Sequence, residues 1–213
     1  MTDDARREYH RPVHRPAATF DRRFGSTDPA EVSRAAHATA SALLTRVRDE
    51  PEGDVVDRLV TFTDTHGIDT LAELWSHSPA LSLPGALWRL YLLQLMVRDD
   101  ARTAALLYER GRAALGTVDD VVAGAPTPAG PEELMALVDE ILRGVFTGDF
   151  AVALERAASF CRVEAAGSVD LADDHDAAEP DRAAAFTTRA LRLDTFAADL
   201  TACAGLWRRG NLT

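Results

Sequence analysis

The feature that most constrains the fold of this chain is an apolar stretch, Leu81–Val97, with the sequence LSLPGALWRLYLLQLMV. After Pro84 only Arg89 and Gln94 are strongly polar, so a helix formed here is apolar on nearly every side. Such a helix has no face left for water and is typical of the centre of a helical bundle. We therefore predict an all-α protein, an irregular bundle around a central helix at 84–97.

This apolar helix is too short to cross a membrane. At roughly 1.5 Å per residue it spans about 21 Å, whereas the hydrocarbon core of a bilayer is ~30 Å thick. The N-terminus does not resemble a signal peptide, because Arg, His and Pro stand where an apolar run is required. The two cysteines, Cys161 and Cys203, make no disulfide framework. We expect a cytoplasmic protein without membrane insertion.

Helical periodicity and end signals account for the rest of the chain after residue 27. Asp28-Pro29 and Ser82 with Pro84 are helix starts, since Ser and Asp cap and Pro suits the first turn. No alternating run long enough for a strand occurs. The pattern predicts about eight helices, at 28–48, 54–65, 69–75, 84–97, 100–115, from 131, at 149–166 and at 181–209.

Three segments are predicted to be irregular. Residues 1–27 form a basic, flexible arm, because Pro12 and Pro16 interrupt any helix there. The helical domain is expected over 28–209. Within it, the Pro- and Gly-rich stretch 117–130 is a candidate sub-boundary, and the acidic stretch 167–180 is expected to be a loop.

Charge restricts the class of partner. The formal net charge is -11, and all 23 basic residues are arginine. A body this acidic repels phosphate backbones, so a dedicated nucleic-acid binder is disfavoured. The arm differs from the body, since residues 1–27 carry six arginines against four acids. The arm is therefore a candidate tether for an acidic partner, through Arg6, Arg7, Arg11, Arg15, Phe20, Arg22, Arg23 and Phe24.

Motif searches identify no catalytic, cofactor-binding or metal-ligating residue. A chain without lysine has no Walker A motif, and GxGxxG, GxSxG, HExxH and CxxC are absent. The acidic segment 170–181 does not fit a calcium-binding loop, because Ala178 stands at a ligand position and no glycine follows. We expect no cofactor.

Arg89 is the internal position with the clearest functional question. A guanidinium on so apolar a helix needs a carboxylate partner or an aqueous opening, because an unpaired buried charge is very costly. One reading is an ion pair, with Asp57, Asp69, Glu73 and Glu109 as candidate partners. The other is an anion-binding pocket walled by the nearby aromatic residues Trp75, Trp88 and Tyr91.

One segment resembles a known repeat. GDFAVALERAASF, at 148–160, is similar to the turn and second helix of a tetratricopeptide repeat. The nearest comparable turn, Arg98–Ala101, does not lie at that repeat's period of about 34 residues. The resemblance supports a helical-hairpin scaffold and assigns no family.

These observations favour a non-enzymatic protein-interaction or regulatory adaptor. Its acidic helical body binds another protein, and its arginine-rich arm adds an electrostatic contact. The first alternative is a helical sensor that binds a small anion near Arg89, and the second is an enzyme of unrecognised type. Homodimerisation is also compatible with the surplus of aromatic residues.

Overall fold

The computed structural model describes residues 28–49, 73–124 and 130–213. Every regular element in these ranges is helical, which confirms the predicted all-α class. The predicted arm 1–27 and the predicted helix 54–65 lie outside the described residues. The helices are α1 (Pro29–Asp49), α2 (Leu83–Asp99), α3 (Ala101–Ala114), α4 (Asp119–Ala123), α5 (Pro131–Thr147), α6 (Phe150–His175) and α7 (Pro180–Arg208).

Short polar side chains cap the starts of α2, α3 and α6. The Ser82 hydroxyl accepts a hydrogen bond from the Gly85 amide at the start of α2. Asp100 caps α3 in the same way, and Asp149 accepts two backbone amides at the start of α6. Each cap satisfies amides that have no partner within the helix. The predicted helix boundaries at these caps agree with the structure to within a residue or two.

The helix with the most extensive packing against its neighbours is α6. It packs against α3, α4, α5 and α7, and Phe150, Leu154 and Phe160 are fully buried along it. The apolar helix α2 packs less extensively on α1, α3, α5 and α7, and Leu95 on it is 41% exposed. The predicted place of 84–97 at the centre is therefore not confirmed. Apolar composition marked α2 as a core helix, whereas the small alanine side chains of α6 let α3 and α7 pack closely along it.

The predicted loop at 167–180 is wrong over most of its length, because α6 continues to His175. Leu171 and Ala172 in this stretch are buried. The acids that suggested a loop are held on the other face, where Asp170 and Asp174 each lie 2.9 Å from the Arg110 guanidinium. Pairing across to α3 offsets the repulsion between two carboxylates one helical turn apart.

The predicted linker 117–130 also contains structure, since α4 lies within it. Asp119 of α4 pairs with Arg162 of α6 at 2.7 Å, and the Ala123 carbonyl accepts hydrogen bonds from Arg156. Gly124, at a φ of 85° that favours glycine, ends the helix. Core residues before and after this stretch belong to one hydrophobic cluster.

Helices α3 and α6 cross at a pair of glycines. A β-carbon on Gly111 would overlap the carbonyl oxygen of Val163, and one on Gly167 would overlap the carbonyl oxygen of Leu107. The two backbones are therefore in direct contact, at a separation that only glycine permits at both positions. No described helix is both long enough and apolar enough to cross a membrane.

We expect Gly167→Ala to lower the free energy of unfolding by about 3 kcal/mol or more, since the new methyl group displaces backbone rather than a side chain. Urea denaturation measures this change. Gly116→Ala is the matched control, because a β-carbon there meets nothing within 4 Å, and it should change stability by less than about 0.5 kcal/mol. Equal effects of the two substitutions would contradict a close crossing.

Candidate functional site

Arg89 forms an ion pair with a carboxylate on the last helix. Its Nε and Nη2 lie 2.9 Å and 2.8 Å from Asp199 Oδ2, and its Nη1 donates to the Gly85 carbonyl at 3.1 Å. The two side chains are only 15% and 20% exposed. Asp199 was not among the candidate partners, because a residue so distant in sequence is brought to α2 only by the packing of α7.

The aromatic residues predicted to surround Arg89 are divided between two places. Trp75 is buried, and its Nε1 donates to Thr39 Oγ1 of α1 at 3.2 Å. Trp88 and Tyr91 stack on each other along α2, with ring centroids 5.6 Å apart. None of these three aromatic residues lines the groove between α2 and α7 or the groove beside α1.

An open groove of about 770 Å³ runs between α2 and α7. One end lies beside Arg89, whose guanidinium carbon is 5.6 Å from the centre of the Phe196 ring. Most of the lining is apolar or small, and the charged members are one acid and two arginines. The lining residues are Leu92, Met96, Asp181, Ala184, Ala185, Phe186, Thr188, Arg189, Arg192, Leu193 and Phe196.

The two arginines of this groove differ in their partners. Arg189 Nη2 lies 3.2 Å from Glu164 Oε2, and its side chain is 23% exposed. Arg192 is exposed, and no carboxylate of the described residues pairs with it. Arg189 thus connects the groove wall to the core, while Arg192 presents its charge to the groove and the solvent.

Glu164 is the most deeply buried charged residue in the described part of the chain, with no exposed surface. Its Oε1 has no hydrogen-bond partner there, and the buried hydroxyl of Tyr108 has none either. Desolvation raises the pKa of Glu164 to about 8, although Arg189 acts in the opposite direction. The carboxyl therefore holds its proton over much of the neutral range.

A second open groove, of about 550 Å³, lies between α1 and the C-terminal residues. Ser33, Arg34, His37 and Ser41 of α1 line one side, and Trp207 lines the other. The backbone amide of Leu83 donates to the Thr213 carbonyl at 3.1 Å and closes one end. The polar side chains of α1 that line this groove lie on one face of the helix, and no buried charged side chain of the described residues lines it.

Both cysteines are buried free thiols. Burial raises the pKa of Cys161 above its ordinary value and that of Cys203 to about 11. A thiol held in its protonated form is a poor nucleophile and a poor metal ligand. Within the described ranges, no group of three or more His, Cys, Asp or Glu side chains is arranged to hold a metal ion.

Glu164, Arg189 and Arg192 were not identified from the sequence. Glu164 carries a usable signal, because it is an acid between Val163 and the small residues Ala165–Gly167. Arg189 and Arg192 stand one turn apart in a helix with other charged residues and are not distinctive there. The predicted tethering residues Arg6 to Phe24 lie outside the described residues.

No protein-family model, curated protein or solved structure matches this chain.

We expect Asp199→Asn to lower the free energy of unfolding by about 1–3 kcal/mol, because it leaves the Arg89 charge partly buried without a counter-ion. Chemical denaturation measures this loss. Asp194→Asn is the control, since Asp194 is exposed on the same helix and should change stability by less than about 0.5 kcal/mol. If Asp199→Asn lowers the free energy of unfolding no more than Asp194→Asn does, the Arg89–Asp199 pair is not needed to offset the burial of the Arg89 charge.

Glu164 also predicts a pH dependence of stability. Folding raises the pKa of Glu164 from 4.5 to about 8. The contribution of this group to the free energy of unfolding is therefore fully present below pH 4.5 and is lost as the pH rises towards 8. We expect the free energy of unfolding of Glu164→Gln to fall less steeply between pH 5 and pH 8 than that of the native protein, by at most about 1.4 kcal/mol per pH unit. Urea denaturation of both proteins across this range measures the difference.

The three other described carboxyls with a shifted pKa do not obscure this window. The pKa values of Asp100, Asp119 and Glu155 are lowered by hydrogen bonds or ion pairs. Their contributions are therefore lost only as the pH falls below their ordinary values of 3.8 to 4.5. Parallel slopes for the native protein and Glu164→Gln above pH 5 would contradict the raised pKa of Glu164.

Proposed function

We propose that this protein is a non-enzymatic interaction module that binds an amphipathic helix of a partner protein in the α2–α7 groove. The observation that carries the proposal is the groove itself, an open and largely apolar channel between two long helices with a charged wall. Binding of a helix in such a groove is a common mode of peptide recognition, in which apolar anchors spaced by one turn enter the channel.

The spacing of the lining residues supports a helical occupant. Leu92 and Met96 are one turn apart on α2, and Arg189, Leu193 and Phe196 follow one another at a similar spacing on α7. Residues three or four apart lie on the same face of a helix. Each wall therefore presents a ridge of side chains with helical spacing, to which the side chains of a third helix are complementary.

Exposed apolar side chains continue beside the groove. Leu191 is 64% exposed on α7, and Leu95 is 41% exposed on α2. Single exposed leucines are ordinary on a protein surface, but here each belongs to a helix that forms the groove. Together with the apolar lining they provide area that a docked helix buries, and burial contributes about 25 cal/mol per Å².

The arm gives the proposal its electrostatic component. Residues 1–27 carry a surplus of arginine and directly precede α1. A basic segment on the same chain as a docking groove increases the rate of encounter with an acidic partner at low ionic strength. We assign this role to Arg6, Arg7, Arg11, Arg15, Arg22 and Arg23, with Phe20 and Phe24 as apolar contacts.

A small anion is the second candidate for the ligand. The volume of the groove falls within the range of small-molecule pockets, about 300–1,000 Å³, and Arg89 lies at one end of it. The pairing of Arg89 with Asp199 uses the charge that such a ligand needs. The groove is also open along its length, which suits an extended segment better than a small molecule.

We expect Ala185→Arg, a bulky change at an exposed lining residue, to abolish capture of the groove partner without affecting stability. The full chain is immobilised on a support and exposed to extract from the source cells, and the bound proteins are identified by mass spectrometry. Ala198→Arg is the matched control, since Ala198 is exposed on the same helix and is not part of the groove lining.

A partner of the groove is recovered by the native chain and by Ala198→Arg, and is lost with Ala185→Arg. If all three proteins recover the same set, the groove is not the docking surface. A second copy of this chain among the proteins lost would identify the occupant as the protein itself. Equilibrium sedimentation of the native chain and of Ala185→Arg then tests that result directly.

A further inference from the structure

We propose that the occupant of the α2–α7 groove carries an acidic side chain, which binds to Arg192 with Arg189 beside it. This inference rests on the proposed docking function and specifies the chemistry of the partner. The partner's docking segment is then an amphipathic helix with aspartate or glutamate next to its apolar face. The supporting observations are the placement of the two arginines, their different pairing, and the surrounding charges.

The two arginines form a single basic edge. Arg189 and Arg192 are three residues apart on α7 and therefore lie on the same face, and both line the groove. Leu193 and Phe196 lie next to them in the lining. A ligand that enters the apolar part of the channel therefore passes close to two guanidinium groups.

Arg192 has a charge that the rest of the described chain does not neutralise. Eight described arginines pair with a carboxylate of this acidic protein. Those that do are Arg89, Arg98, Arg110, Arg156, Arg162, Arg182, Arg189 and Arg208. Arg192 has no such partner among the described residues, although the chain contains 34 acidic residues. Its side chain is therefore available to a carboxylate brought in by a ligand.

Arg189 is held in place by a buried residue of the core, Glu164. Its Nη2 donates to Glu164 Oε2, and its Nε has no hydrogen-bond partner within the described ranges. The raised pKa of Glu164 means that this carboxyl is often neutral near pH 7, and a neutral partner leaves the charge of Arg189 in effect. Glu164 is thus a positioning residue, which orients one arginine of the basic edge without removing its charge.

The nearby acids do not cancel this edge. Asp181 lines the same groove, but it lies about two turns before Arg189 on α7. The carboxylate of Asp100 interacts with Arg189 electrostatically and is already engaged as the N-cap of α3. A basic segment would meet like charge at Arg189 and Arg192, which disfavours the arginine-rich arm of this chain as the occupant.

The test is a selection with displayed peptides on the full-length chain. The peptides are helical, about 18 residues long and so ~27 Å in length, with leucine fixed at i, i+3, i+4 and i+7. The remaining positions vary among alanine, glutamine, glutamate and arginine. Clones that bind the native chain but not Ala185→Arg are the groove binders, and their sequences show which charge the groove prefers.

We expect glutamate to be enriched over glutamine at one or two positions of the groove binders, and arginine to be depleted. In the best clone, changing that glutamate to glutamine should weaken binding to the native chain about fivefold to thirtyfold, as for a charge-assisted hydrogen bond. With Arg192→Gln the same change in the peptide should alter binding less than about twofold. Arg209→Gln, a change at an exposed arginine that directly follows α7 and is not part of the groove lining, should behave as the native protein does.

The possible results separate the two proposals. Groove binders with no preference for glutamate, or with a preference for arginine, overturn the acidic occupant and leave the docking groove in place. The same conclusion follows if the glutamate effect persists in Arg192→Gln. If no selected clone is sensitive to Ala185→Arg, the docking function itself fails, and the inference about charge fails with it.

Discussion

The contact between the backbones of α3 and α6 is the constraint on which the rest of this structure depends. Gly111 and Gly167 let the two helices touch, since each would otherwise place a β-carbon against a carbonyl oxygen of the other helix. Helix α6 is then enclosed by α3 on one side and by α4, α5 and α7 around it. Glu164 lies one turn before Gly167 and is therefore within the most tightly closed part of the core, where water cannot solvate its carboxyl.

Burial of this one carboxyl links the core to the surface. A buried acid needs a hydrogen-bond donor or a proton. Arg189 reaches in from α7, and the raised pKa of Glu164 favours the protonated form. The same arginine lines the α2–α7 groove, so a side chain at the proposed docking surface is oriented by a group in the core. Arg89 and Asp199 form a second tie between α2 and α7, the two helices that make this groove.

Local signals in the sequence predicted the helix starts well. Ser82, Asp100 and Asp149 cap helices that begin where expected, because capping involves residues only two or three positions apart. The end of α6 and the presence of α4 were mispredicted for the opposite reason. In the sequence, Asp170 and Asp174 suggest a solvated loop, but in the fold both pair with Arg110 of α3. Helix α4 is likewise stabilised by arginines of α6. Arg89 was singled out correctly as needing a partner, but Asp199 could not be named from the sequence.

The sequence by itself determined the all-α class, the caps and the requirement that Arg89 be compensated. These follow from periodicity, from short-range hydrogen bonding and from the cost of burying a charge. Only the tertiary structure decided that α6 packs most extensively against its neighbours, that Glu164 is buried, and that Arg189 and Arg192 share a groove with the side chains of α2. Such facts depend on how closely two helices approach, and that distance is set by long-range packing at residues such as Gly111 and Gly167. Even the apolar helix at 84–97, the clearest feature of the sequence, takes its function as a groove wall from its neighbour α7.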